Sequence, residues 1–223
     1  MHTSWLMRCC GMIYVEVAEI ANSAIYPMTT VRPFSVSDLF RFNNVNLDSW
    51  TETYSCSFYT NYIAQWPDLL FTASAAHSDR VMGYMIGKAE GADPGKSKKV
   101  PTLHGHVTAV TVAPEYRRLG VAGMLMDMLE RASDAIYNAY FIDLFVRPSN
   151  ETAINMYHHL GYSVYRRVDK YYRGDIRQAT EDGYDMRKAL PRDTKKQTVR
   201  DNGVDVVVQP FDTLFEPCVR KSV

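Results

Sequence analysis

Apolar and β-branched residues alternate with polar ones over residues 106–112, the pattern of a half-buried strand. Residues 30–32 and the strongly apolar 140–147 also read as strands, and 69–74 and 81–88 form a hairpin through the polar break 76–80. The period lengthens over 119–133, where Val121, Leu125, Met128 and Leu129 make one stripe of a predicted helix. A helix over 35–44 has Ser35 or Ser37 as its cap and Leu39, Phe40 and Phe42 on its apolar side. Another over 56–65 stops before Pro67, and one over 150–160 is stopped by Gly161. Residues 46–54 and 91–104 read as loops. Strands are predicted over 162–172 and 184–186, with a turn at Asp182 and Gly183 between them. This order describes an α+β fold, a mixed and mostly antiparallel sheet of about seven strands with helices on both faces.

The pattern also sets boundaries. Residues 28–190 carry the periodic segments; 1–27 read as an N-terminal extension outside the domain, and 191–223 as a polar, mobile tail. The chain has 223 residues, enough for one domain with a sizeable core. Lys+Arg and Asp+Glu are both 25, so the global basic footprint of a nucleic-acid binder is absent. Cys9, Cys10, Cys56 and Cys218 match no zinc spacing and read as reduced thiols of a cytosolic protein; no metal is expected. No apolar run reaches the ~18–20 residues of a membrane span. Arg8 precedes an apolar stretch broken by Gly11 and Glu16, too short and interrupted for a signal peptide.

The chemistry concentrates where the strand 106–112 gives way to the helix that follows. Arg117, Arg118, Leu119, Gly120, Val121 and Ala122 form a basic turn at a helix start. Unpaired backbone N–H groups and the helix dipole favour an anion there. Gly120, lacking Cβ, admits a close pyrophosphate; Ala122 keeps the next turn small, and the two arginines can bond phosphate oxygens. Alone, this is equally a solvated basic helix start. Asn150 opens the helix 150–160, either as a plain cap or as a ligand contact. Tyr157, two turns on, is either core packing or chemistry. A phenol stays protonated at neutral pH and so can act as a proton donor.

The turn resembles the [Arg/Gln]-x-x-Gly-x-[Gly/Ala] signature of the GNAT superfamily of N-acetyltransferases, and Asn150, Ala153, Met156, Tyr157, Gly161 and Tyr162 resemble its second signature. The resemblance implies the GNAT fold and acetyl-CoA as co-substrate. It implies a splayed strand whose backbone near Val110 and Val112 pairs with the pantetheine arm, and Tyr157 as general acid to the leaving thiolate.

Within that superfamily the chain resembles the catalytic subunits of NatB. The matching segments are residues 38–48, 51–54, 82–91, 104–109, 143–147, 160–166 and 185–190. The resemblance implies acetylation of protein N-termini beginning Met-Asp, Met-Glu, Met-Asn or Met-Gln, by direct attack in a ternary complex. It places Glu52, Tyr54, His106, Thr108, Tyr171 and Tyr172 at the substrate, with Glu52, His106 and Tyr54 as candidate bases. It further implies a large helical-repeat auxiliary subunit, seated partly on Leu39, Phe42 and Ile63, nascent chains as substrates, and a cytoplasmic, ribosome-associated setting. Ser49 and Trp50 stand where that family usually has Pro and Leu, and the loop with Lys96, Lys98 and Lys99 diverges. His106, Tyr171 and Tyr172 read equally well as ordinary strand residues. Acetylation of another amine, or acyl-CoA binding without catalysis, are the competing readings.

Overall fold

The strands are β1 (Thr29–Pro33), β2 (Leu70–Ala75), β3 (Val81–Glu90), β4 (His104–Val112), β5 (Phe141–Val146), β6 (Ser163–Tyr172), β7 (Glu181–Ala189) and β8 (Val207–Val208). They form one sheet of eight strands in the order β1-β2-β3-β4-β5-β7-β6-β8. Pairing is antiparallel except between β4 and β5 and between β6 and β8. The helices are α1 (Asn43–Asn46), α2 (Cys56–Gln65), α3 (Val121–Ala135) and α4 (Glu151–His159). This computed structural model describes residues 29–46, 51–76, 78, 80–93, 95, 100–174 and 179–213. The expected extension 1–27, Ser49, Trp50 and the lysines of the 96–99 loop lie outside the described residues.

Each face of the sheet is covered for a local reason. α3 buries Val121, Leu125, Met126 and Leu129. It sits close because a Cβ on Gly87 would meet Leu129 Cδ1 at 2.3 Å, and one on Gly105 would meet Ser133 Oγ at 2.3 Å. α4 lies beside α3, with Leu160 facing Gly123. Asn150 caps α4 by accepting from Ala153 N–H at 3.2 Å, and Gly161 ends it at φ 90°. On the other face, Phe34, Phe42, Tyr59 and Tyr84 pack as an aromatic cluster under α2. Ser55 starts α2 by accepting from Phe58 N–H at 3.4 Å.

Three expectations are corrected. The helix expected over 35–44 is a 3-10 turn, Val36–Phe40, followed by the single turn of α1. Phe40 is 83% exposed rather than in the core. The buried residue of that turn is Asp38, gripped by Arg32 at 2.6 and 2.7 Å, the Ser35 N–H at 2.8 Å and Thr72 Oγ1 at 3.2 Å. These bonds cost the segment its α-helical register. Second, Asp182 and Gly183 lie within β7, not in a turn. Gly183 pairs with Val168, and a Cβ there would sit 3.0 Å from the Tyr171 ring. Third, 191–213 is not a loose tail. Asp193 accepts from Thr198 N–H at 2.8 Å and Oγ1 at 2.6 Å, Gly203 N–H bonds Val164 at 2.7 Å, and β8 extends the sheet beyond β6.

Asp38 yields a stability prediction. Burial alone would raise its pKa; the Arg32 guanidinium and the Ser35 N–H outweigh that and hold the carboxyl below the usual range. Its contribution is therefore present above the ordinary carboxylate pKa and lost as pH falls through the lowered folded value. Asp38→Ala strands Thr72 Oγ1 and the Ser35 N–H and is expected to lower unfolding free energy by about 1–3 kcal/mol. Urea titration should show that difference near neutral pH and a smaller one in acid.

Candidate active site

β4 and β5 separate part-way along their length. They pair from His104↔Phe141 to Val107↔Leu144 and no further. β4 runs on to Val112 against β3, while β5 follows β7 to Val146. The two strands thus open into a V beyond Val107. Where the V begins, Ile86 pairs with Ala109 but Gly87 with Val107, so Thr108 is an extra residue, a bulge that redirects the strand. The free edge has a definite polarity. Ala113 N–H bonds Met82 O at 2.8 Å. By the alternation of an antiparallel ladder, Thr111 and Ala109 then turn their backbone groups to β3, and Val110 and Val112 turn theirs to the side β5 has left. One of those groups is engaged: Val112 O accepts from Arg117 Nε at 3.2 Å.

The V is capped at one end by the basic turn. Arg117, Arg118, Leu119 and Gly120 are exposed, and Val121 is buried as the first residue of α3. Gly120 has φ 80° and ψ 0°, Arg118 has φ 63°, and α3 has no side-chain cap and no acidic residue in its first turn. The leading N–H groups of α3, with Val121 and Ala122, are left facing outward beside two cations. Such a terminus fits a phosphate.

The other side of the V is aromatic. Tyr54 stacks on Phe58 at 4.1 Å, and Phe58 packs on Tyr62 at 4.4 Å. Tyr54 donates to Glu52 Oε2 at 3.3 Å, and Thr108 Oγ1 bonds the Tyr62 hydroxyl at 3.3 Å. Thr51 Oγ1 pairs with Thr111 Oγ1 at 2.8 Å, tying this loop to β4. Across the gap, Phe145 stacks on Tyr171 at 4.4 Å, and the Arg147 guanidinium lies 4.2 Å over Tyr172. Burial raises the Tyr54 phenol well above its usual pKa, with Glu52 adding to it. Tyr171 is pushed up to about 12, by burial first and then Asp143. Burial and then Tyr171 raise the Tyr172 phenol, against the opposing pull of the Arg147 guanidinium.

His106 and Tyr157 are the two candidate proton-transfer groups. His106 Nδ1 lies 2.8 Å from Asp143 Oδ1, and its ring is 5.9 Å from Phe145. Tyr157 is 7% exposed and packs edge-on to Tyr162 at 5.9 Å. Burial alone raises its phenol. Glu52 bonds Tyr54 rather than His106. Sequence reasoning missed Asp143, His104, Tyr62, Phe145 and Arg147. No local signal marked Asp143: a lone acid inside the apolar run 141–146 gains its meaning only from His104 and His106 on the neighbouring strand β4. Of the expected interface residues, Phe42 is core and Leu39 and Ile63 are half-buried, while Val36 and Phe40 on the same stretch are exposed.

The chain is similar to known proteins. The acetyltransferase (GNAT) family pattern matches residues 39–162. The N-terminal acetyltransferase B complex catalytic subunit NAA20 of Arabidopsis thaliana is 56% identical over 172 residues, 77% of this chain and 91% of that protein. The structure of Chaetomium thermophilum Naa20 in complex with a bisubstrate analogue is 43% identical, with a TM-score of 0.74 over 82% of this chain and 98% of its own. A NatB acetyltransferase complex bound to CoA and MES matches at 40% identity and TM-score 0.63, over 73% of this chain and 99% of that one. Fold and sequence agree: the chain belongs to the GNAT acetyltransferases and, among them, to the N-terminal acetyltransferase B catalytic subunits.

Proposed function

We propose that this chain transfers the acetyl group of acetyl-CoA to the N-terminal α-amine of polypeptides beginning Met-Asp, Met-Glu, Met-Asn or Met-Gln. The observation that carries this reading is the V between β4 and β5, with a phosphate-type terminus at one end and a tyrosine-lined rim at the other. The residues fit the donor. The backbone groups of Val110 and Val112 offer an edge for an amide-bearing arm. The N–H groups of Gly120, Val121 and Ala122, with Arg117 and Arg118, suit its phosphates, and Asn150 lies at the neighbouring helix start. Acetyl-CoA supplies an activated thioester.

The remaining chemistry belongs to the chain. Tyr157, kept protonated by burial, donates its proton to the departing sulfur. His106 accepts a proton from the incoming ammonium, which is partly neutral already because an α-amine has pKa ~8. Tyr54 and Phe58 provide apolar surface for the initiator methionine. Thr108, Tyr171 and Tyr172 carry hydroxyls for an acidic or amide second side chain, and Glu52 attracts the ammonium. Tyr171 and Tyr172 narrow the rim, which suits a chain end better than a lysine within a chain. No described helix is long and apolar enough to cross a membrane. The family works in complexes, and Phe40 with Val36 is the apolar surface we assign to a large helical-repeat auxiliary subunit. Through it the enzyme acts on nascent chains at the cytoplasmic ribosome.

Acetyl transfer to peptides beginning Met-Asp, Met-Leu and Ser-Ala, measured with the auxiliary subunit present, tests the reading. Met-Asp is expected to be strongly preferred. Good turnover of another peptide with none of Met-Asp sinks the substrate class, and turnover of internal lysine alone sinks N-terminal acetylation.

A further inference from the structure

A buried polar cluster surrounds Asp143. This carboxylate is 4% exposed, in the centre of β5. His106 Nδ1 lies 2.8 Å from its Oδ1, and His104 Nε2 lies 3.4 Å from the same oxygen. His104 Nδ1 is 2.5 Å from the Thr102 carbonyl. A carbonyl only accepts, so His104 Nδ1 carries a hydrogen and the Thr102 carbonyl fixes the ring, while Nε2 donates to Asp143 only when the ring is also protonated there. The ring's stacking on Phe141 at 4.7 Å, nearly parallel, adds a further constraint.

Glu90, His104 and His106 present ligand atoms within 4.8 Å of one another, which invites comparison with a metal site. The chemistry does not fit one. Lys88 Nζ sits 2.6 Å from Glu90 Oε1 and already neutralises that carboxylate. The nearest nitrogens of both histidines are directed at Asp143. A divalent ion would have to displace an ammonium and break the two histidine–Asp143 contacts.

The arrangement suits a different purpose. An ionised carboxylate accepts and cannot donate, so the His106 nitrogen facing it must carry the hydrogen. That leaves Nε2 as the basic nitrogen, and among the described residues it has no hydrogen-bond partner. We propose that Asp143 is a positioning residue, which with His104 fixes the His106 tautomer so that Nε2 takes the α-ammonium proton. This rests on the acetyltransferase reading above. Asp143 remains the anion this requires: burial alone would raise its pKa, but His104, His106 and Arg187 outweigh that and hold it well below the carboxylate range. The logic is that of an acid orienting a histidine base without being protonated itself. The other titratable groups around the pair are Lys88 and Glu90 on β3, Tyr62 on α2, Tyr171 on β6 and Arg187 on β7.

Asp143→Asn keeps the shape of the side chain and removes its charge. In the full chain with its auxiliary subunit, kcat for a Met-Asp peptide should fall about 10- to 100-fold while KM changes little. Below the amine pKa of ~8, the variant's rate should climb about tenfold per pH unit, following the free amine, while the wild type varies less. The loss should not add to that of His106→Asn, because the two act as one unit. An unchanged kcat and pH profile, or additive losses, would overturn the proposal. A second measurement needs neither the variant nor turnover. Imidazole ¹⁵N shifts of His106 in the wild-type chain above neutral pH should show hydrogen on Nδ1 and none on Nε2; hydrogen on Nε2 overturns the proposal. Wild-type turnover of Met-Asp separates the two readings, since its absence counts against the substrate assignment and leaves the tautomer result standing.

Discussion

Tyr157→Phe is expected to lower kcat by on the order of 100-fold, within the span of general acid catalysis, and to leave acetyl-CoA affinity almost untouched. The ring is buried and packed on Tyr162, and phenylalanine reproduces that packing. The hydroxyl has no hydrogen-bond partner among the described residues, so removing it strands no other polar group and costs little stability. What is lost is the proton for the departing sulfur. The direction of the Tyr157 shift bears on pH. Burial disfavours the phenolate, so the donor stays protonated well beyond the ordinary phenol pKa of ~10. Wild-type kcat should therefore hold on the alkaline side rather than fall as a normal tyrosine ionises. Stopped-flow turnover and calorimetric CoA binding on both proteins would check this. A parallel loss of affinity and kcat would make Tyr157 a packing residue.

How far the sequence reaches depends on whether a feature is local. The end of α2 was legible because Pro67 follows it closely. Gly161 was legible as a stop because only a residue tolerant of φ 90° ends α4 there cheaply. The basic turn was legible for the same reason, since its chemistry lies within six consecutive positions. Features made by partners distant in sequence were not. The bulge at Thr108 exists only in the register of β4 against β3, and the opening of the V only in where β4 and β5 stop pairing. Gly183 resembles a turn glycine until Tyr171 is placed over it. Phe40 followed the apolar stripe of a predicted helix, but Asp38 is satisfied by Arg32 and Thr72, and the resulting 3-10 turn rotates Phe40 outward. Asp143 was passed over because a single acid in an apolar strand has no local signature. Its meaning comes from His104 and His106 on the neighbouring strand. The proposed acceptor side draws on the 51–55 loop, β4, β5 and β6, which explains why only resemblance assigned its residues.

Gly120→Val should abolish acetyl-CoA binding in the working concentration range while the domain stays folded. Two effects act together. Gly120 has φ 80° and ψ 0°, a left-handed conformation that a β-branched residue occupies only under strain. That strain, of about 1–3 kcal/mol, is relieved by turning the peptide away and with it the N–H groups of the α3 start. The new side chain would also stand where phosphate oxygens approach the backbone. Each charge-assisted bond lost is worth ~1.5–3 kcal/mol, so losing one or two raises Kd on the order of 100-fold or more. Residues 117–120 are exposed and α3 is anchored by Val121, Leu125, Met126 and Leu129, so the helix should hold its place. Gly120→Ala sets a graded comparison: it keeps the φ strain but adds less bulk, and should weaken binding by less. Calorimetry with CoA, alongside thermal unfolding, reads both quantities. Unchanged CoA affinity in a folded Gly120→Val variant would refute the phosphate cradle. The splay would remain, but the donor's anchor would then have to be sought at Asn150 and along the β4 edge.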